Sequence, residues 1–216
     1  VRKEEAVGLQ AVTDGEYRRA FWHFDFLENL DGVEGYWMEH GIAFKGVATK
    51  PKGVRVVGKI GFPPDHPHLA HFKFLKSVTS RVPKMTIPSP SMLHYRGGRQ
   101  AVDKTVYPDM DAYYEDLGKA YAAAVRAFYD AGCRYLQLDD TSLAYFCDPE
   151  QRKMIQDRGD DPDLLIRRYR DMINRATRER PKDMVITTHT CRGNFRSTFI
   201  ASGGYEPVAD IVFNQI

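Results

Sequence analysis

From Asp109 to Asp140 the chain reads as one helix followed by one strand, and this unit restricts the fold more than any other stretch. Tyr113, Leu117, Tyr121, Ala124, Val125 and Phe128 recur at three- and four-residue steps, with alanine at neighbouring positions. Gly132 supplies a helix stop. Cys133-Arg-Tyr-Leu-Gln-Leu138 then runs as a strand into Asp139-Asp140. The same alternation recurs on both sides. Strands are expected to end near Asp14, Ile60, Met92, Asp139 and His189, with helices over 68–78, 109–132 and 164–180 and a last one over 206–216. Repeated βα units imply a parallel sheet with right-handed crossovers, so the expected class is α/β. In such sheets the C-terminal strand ends share one face, and sites are built there.

Four of the five strand ends carry suitable chemistry. In Met184-Val-Ile-Thr-Thr-His-Thr-Cys-Arg-Gly-Asn194, His189 and Cys191 are two residues apart, which puts both side chains on one face of an extended strand. Imidazole and thiolate together suit zinc. The plainer alternative is a buried thiol beside a hydrogen-bonded histidine. Of the adjacent Asp139 and Asp140, only one can readily face inward, and we assign Asp139. Asp14-Gly-Glu16 is either a ligand-facing strand end or a turn opening a helix. His94-Tyr-Arg-Gly-Gly-Arg99 reads as a glycine-hinged basic and aromatic loop, able to stack a flat ring or receive an acidic group, or else a surface turn. His66, His68 and His71 follow a Pro-Pro turn and are expected to be solvated helix-entry residues. Residues 20–52 are aromatic-rich and too long for a simple connection, as an insertion or lid would be. His23 and His40 within them receive no role.

The totals exclude several classes. At 216 residues the chain suffices for one domain with a real core. Its 31 basic and 29 acidic residues are scattered, giving a net charge of +2 and no nucleic-acid footprint. No apolar run approaches the ~20 residues of a membrane span, and no signal segment opens the sequence. Cys133, Cys147 and Cys191 are odd in number and widely spaced, so a disulfide framework is not expected and a cytoplasmic location is. Oligomeric state is not legible.

Asp14-Gly-Glu-Tyr-Arg-Arg19, Leu136-Gln-Leu-Asp-Asp140 and His189-Thr-Cys-Arg-Gly-Asn194 resemble the strand-end motifs of the cobalamin-independent methionine synthase superfamily, in its short single-barrel form. The resemblance implies a TIM (β/α)8 barrel, incomplete at both ends in this sequence, with a zinc ion that binds homocysteine as its thiolate and a folate-type methyl donor. It implies an S-methyltransferase of methionine biosynthesis. On that basis His189 and Cys191 match two zinc ligands, and Glu16 and Asp139 match carboxylates around the substrate's ammonium group. His94 and Tyr95 fall where the family receives the folate ring, with different residue types. The family's other ligands and its catalytic histidine lie downstream of the last position here. Two alternatives stay open: another zinc-dependent thiol alkyltransferase of the coenzyme M kind, and a metal-free barrel, either uroporphyrinogen decarboxylase-like or only binding a small molecule.

Overall fold

The structure, a computed structural model, describes residues 1–37, 39, 43–44, 47–48 and 52–216. His40 and part of the 20–52 segment therefore lie outside the described residues. Helix α1 (Arg2–Ala6) leads into β1 (Ala11–Val12), and α2 (Phe24–Leu27) precedes β2 (Asp31–Trp37). Two short strands, β3 (Ala43–Phe44) and β4 (Val47–Ala48), are followed by β5 (Lys52–Gly61) and α3 (Pro67–Ser77). Then come β6 (Val82–Pro88), α4 (Ser91–Tyr95), the long α5 (Met110–Asp130) and β7 (Tyr135–Asp140). The chain continues through α6 (Ser142–Tyr145), α7 (Pro149–Asp157), α8 (Pro162–Thr177), β8 (Val185–Thr190) and α9 (Glu206–Asp210).

Four strands, in the order β1-β6-β7-β8, form an all-parallel sheet backed by helices, the α/β arrangement of a barrel wall. Among the described residues the wall is an arc and not a closed cylinder. Its register decides what shares a face. Thr86 pairs with Gln137 and Gln137 with Thr187; one step further along, Pro88 pairs with Asp139 and Asp139 with His189. Laterally paired residues of a parallel sheet point the same way, and so do residues two apart along a strand. Gln137, Asp139, Thr187 and His189 thus share one face, while Leu136 and Leu138 bury on the other against the helices.

Local chemistry accounts for the helices. Asp109 caps α5 by accepting from Asp111 N at 2.9 Å, and Asp161 caps α8 by accepting from Asp163 N at 2.9 Å, with Pro162 in its first turn. Tyr113, Leu117, Tyr121, Ala124 and Phe128 form the buried stripe of α5 that the periodicity predicts. After it, Gly132 takes a φ of +100°, in the left-handed region that favours glycine. The expected last helix is α9 continued by a wider π-helical turn over 211–215, held to α8 by Asn174 Nδ2 donating to Gln215 O at 2.6 Å.

Three expectations are corrected. The strand expected to end near Ile60, β5, is not in the parallel sheet. It pairs antiparallel with β2, where Gly32 (φ +73°) lets the two backbones approach so closely that a Cβ would meet Lys59 O at 2.4 Å. β-branched content marks a strand without naming its partner. The strand expected to reach Met92 stops at Pro88, and Ser91–Tyr95 is helical. His66 and His68 are not solvated: each is 1% exposed, under Phe26 and Phe62. His66 Nδ1 accepts from His68 N at 3.2 Å and its Nε2 lies 3.1 Å from Phe26 O, so it caps α3 as a neutral imidazole. Burial pushes its pKa down to about 4 and that of His68 to about 2. Phe26 belongs to the 20–52 segment, whose Phe24, Leu27 and Val33 also join the main core, and Phe62 follows β5.

Candidate active site at the strand ends

At the C-terminal end of β6, β7 and β8 the sheet opens into a cavity of about 380 Å³. Glu16, Asp139, His189 and Cys191 all line it, with Trp22, Thr86, Arg96, Gln137, Thr141, Tyr145, Gly193 and Asn194. The register explains most of this. Asp139 and His189 are lateral partners, and Cys191 lies two residues beyond His189, its N donating to Asp140 O at 3.1 Å so that the ladder continues past the strand. Glu16 arrives from the turn after β1. Asp14 Oδ1 accepts from Glu16 N at 2.9 Å, which makes this a carboxylate-stabilised turn, and Glu16 itself sits at φ +58°. A non-glycine residue in that region costs of order 1 kcal/mol and persists only where its surroundings hold it. Here Thr86 Oγ1 donates to Glu16 Oε1 at 2.8 Å, and Arg19 forms an ion pair with the same oxygen at 3.3 Å while donating to Thr86 O at 2.6 Å. Glu16 is thus part of a turn and at the same time lines the cavity.

The electrostatics follow from the packing. Burial raises the Asp139 carboxyl above the usual carboxylate range, aided by the nearby Glu16 charge and opposed by a 2.7 Å hydrogen bond from Gln137 Nε2 and by His189. Asp140, one residue on and facing the other way, is fully buried. It accepts from Ser142 Oγ at 2.7 Å, from Leu143 N at 2.9 Å and from Ser91 Oγ, tying α4 and α6 to the end of β7. All three cysteines are free. Burial raises the Cys133 thiol to about 11 and that of Cys147 also upward. Cys191 is the cysteine that lines the cavity.

His94 and Tyr95 are not brought to this place. His94 is buried on α4 with Nδ1 2.7 Å from Tyr169 Oη and Nε2 3.1 Å from Tyr114 Oη, and Tyr95 Oη donates to Gln151 at 3.2 Å. Their partners occupy the atoms a donor ring would use, so the donor-binding expectation gains nothing from their position. It is the next residue, Arg96, that lines the cavity. Sequence reasoning also passed over Gln137, which lies two residues before Asp139 and hence on its face, and Tyr145, one helical turn after Thr141. Period arguments could have found the first. Imidazole and thiol suit zinc in kind, yet among the described residues no group of three or more His, Cys, Asp or Glu side chains is arranged to hold a metal ion. Among the described residues no helix is long and apolar enough to cross a membrane.

No family model matches the chain. It is 47% identical over its whole length to the uncharacterized protein YxjH of Bacillus subtilis and 49% identical to the uncharacterized YxjG of the same organism, covering 56% and 57% of them. A Listeria monocytogenes structure assigned as a vitamin-B12-independent methionine synthase matches 99% of the chain at 45% identity and a TM-score of 0.76, with 55% of that protein covered. A B12-independent methionine synthase from Shewanella sp. W3-18-1, solved with selenomethionine, shares the fold at a TM-score of 0.59 and 19% identity, over 91% of this chain and 50% of that one. The chain thus spans about half the length of the relatives it matches. With the three strand-end motifs on one cavity and this likeness in sequence and fold, the chain belongs to the cobalamin-independent methionine synthase superfamily.

Proposed function

We propose that this chain carries part of a zinc-dependent S-methyltransferase site, which moves a methyl group from a folate-type donor to the thiol of homocysteine to give methionine. The observation that carries the proposal is the meeting of Glu16, Asp139, His189 and Cys191 on one cavity although 175 positions separate the first from the last. Glu16 and Asp139 place two carboxylates where an α-ammonium group can receive charge-assisted hydrogen bonds. An ammonium there would also favour the charged form of the Asp139 carboxyl, which burial disfavours. His189 and Cys191 would give a zinc ion one nitrogen and one sulfur donor, and zinc when bound keeps a substrate thiol as thiolate at neutral pH. The chain's own contribution is orientation: with the ammonium end held, the sulfur end of a short amino acid is aimed across the cavity, and methyl transfer needs such alignment.

The decisive measurement is zinc content of the purified protein and of its His189→Ala and Cys191→Ser variants, followed by homocysteine methylation with mono- and polyglutamylated methyl-folate. Near-stoichiometric zinc that falls at least tenfold in either variant is expected. Unchanged metal in both variants would remove the zinc assignment. A second reading, a thiol that carries a sulfonate in place of an amino acid, draws on Arg96 at the cavity. The carboxylate pair weighs against it, because two negative groups repel a sulfonate. Substituting 2-mercaptoethanesulfonate for homocysteine in the same assay separates the two.

A further inference from the structure

The Asp148 carboxylate, buried between α6 and α7, is divided between two tasks. Its Oδ1 caps α7, accepting from Glu150 N at 2.8 Å and from Gln151 N at 3.1 Å. Asp109 and Asp161 cap α5 and α8 in the same way, each with one oxygen. The Oδ2 of Asp148 serves a segment 54 positions away, accepting from Ser202 N at 2.7 Å and from Ser202 Oγ at 3.0 Å. Asparagine and serine cap a helix about as well as aspartate does, so the cap does not account for this second pair of bonds.

What the second pair fixes is the loop that follows β8. Beside Ser202, Ala201 is buried, and its N and that of Ile200 donate to Arg192 O at 3.2 and 2.9 Å. Arg192 directly follows Cys191, and Gly193 and Asn194 after it line the cavity. Gly203, at φ +103°, packs so closely on Cys147 O that a Cβ would stand 2.3 Å from it. The loop is therefore closed on itself at Arg192 and anchored at 202–203 to the residues that open α7. Within it Arg196 and Ser197 sit at φ +50° and +61°, backbone that persists only where its surroundings hold it.

We infer that Asp148 is a positioning residue for Cys191: through Ser202 and the bonds to Arg192 O it fixes the backbone that carries the thiol at the cavity. This rests on the zinc reading of the site given above, in which Cys191 is a donor. It adds the distant group that sets where that donor stands. Contacts that orient a metal donor are worth roughly 10- to 100-fold in metal affinity.

Titration of the metal-free protein with zinc and with cobalt(II) tests this without turnover. Asp148→Ser keeps a capping oxygen but is too short to reach Ser202, and Asp148→Asn offers one acceptor oxygen where two are used. Both are expected to weaken zinc roughly 10- to 100-fold and to diminish the cobalt–thiolate absorption band, with faster amide exchange over 200–202. Asp161→Ala is the control: it removes a cap from α8 and should lower the melting temperature with metal affinity unchanged. Unchanged zinc affinity and an intact cobalt band in both Asp148 variants overturn the inference and leave the zinc reading standing. So does a loss of affinity in Asp161→Ala as large as theirs, since stability alone would then explain it. If the Asp148 variants do not fold, Ser202→Ala decides, because it removes only the 3.0 Å bond. A several-fold weakening of zinc is expected there, and no change overturns the inference. A native protein that binds neither metal overturns the zinc reading, and the inference with it.

Discussion

His66 and His68 at the head of α3 and His189 at the end of β8 are the same residue type near the ends of neighbouring elements, yet the fold uses them in opposite ways. The first two are covered by Phe26 and Phe62 and serve as packing and cap. His189 is exposed on a cavity beside Cys191 and across the ladder from Asp139. The same split runs through a single dipeptide, since Asp139 faces the cavity and Asp140 fastens two helices. The contrast teaches that the residue type supplies the possibility and the face supplies the role. Polar groups on the packed side should govern stability, and those on the cavity side should govern binding.

The largest test of that division is acid. His66, His68 and His94 have pKa values pushed to about 4, 2 and 3 in the folded chain, against 6.5 when unfolded. Their folded values are depressed, so below pH 6.5 the unfolded state binds more protons and stability falls as pH falls. It is fully present only above that point. By pH 5 each contributes a loss of about 2 kcal/mol. Urea midpoints at pH 7.5, 6 and 5 should drop steeply, with part of the slope removed in His68→Gln. A midpoint that is flat over this range would contradict the packed reading of these histidines.

Next in size is Asp140→Ala, which leaves Ser91, Ser142 and the Leu143 amide without their acceptor and should cost about 3 kcal/mol or more in urea unfolding at pH 7.5. Asp139→Asn, one residue away, removes a carboxylate whose charged form burial already disfavours and should change stability by no more than about 1 kcal/mol. Its effect belongs in ligand affinity, where methionine binding should weaken roughly tenfold or more. Equal destabilisation by the two substitutions would erase the distinction between the faces. The smallest effect is expected for His189→Ala, within about 0.5 kcal/mol of the native stability because the ring is exposed and no buried partner is orphaned. A larger loss would place His189 among the packing residues.

The sequence alone determined the βα alternation, the boundaries of α5 and α8 to within a few residues, and which strand ends carry carboxylate, imidazole and thiol. Those properties are periodic or local: apolar spacing, aspartate caps, and a two-residue repeat that keeps His189 and Cys191 on one face. Only the tertiary structure decided that β5 leaves the sheet to pair with β2, that Phe26 and Phe62 bury the α3 histidines, and that Arg96, not His94 or Tyr95, reaches the cavity. Most of these depend on a partner outside the local stretch, such as β2 for β5 and Phe26 for His66. Strand pairing, the identity of the covering side chain and the turn by which a short helix presents one residue over its neighbour are settled by packing across that distance, and one-dimensional spacing carries no record of it.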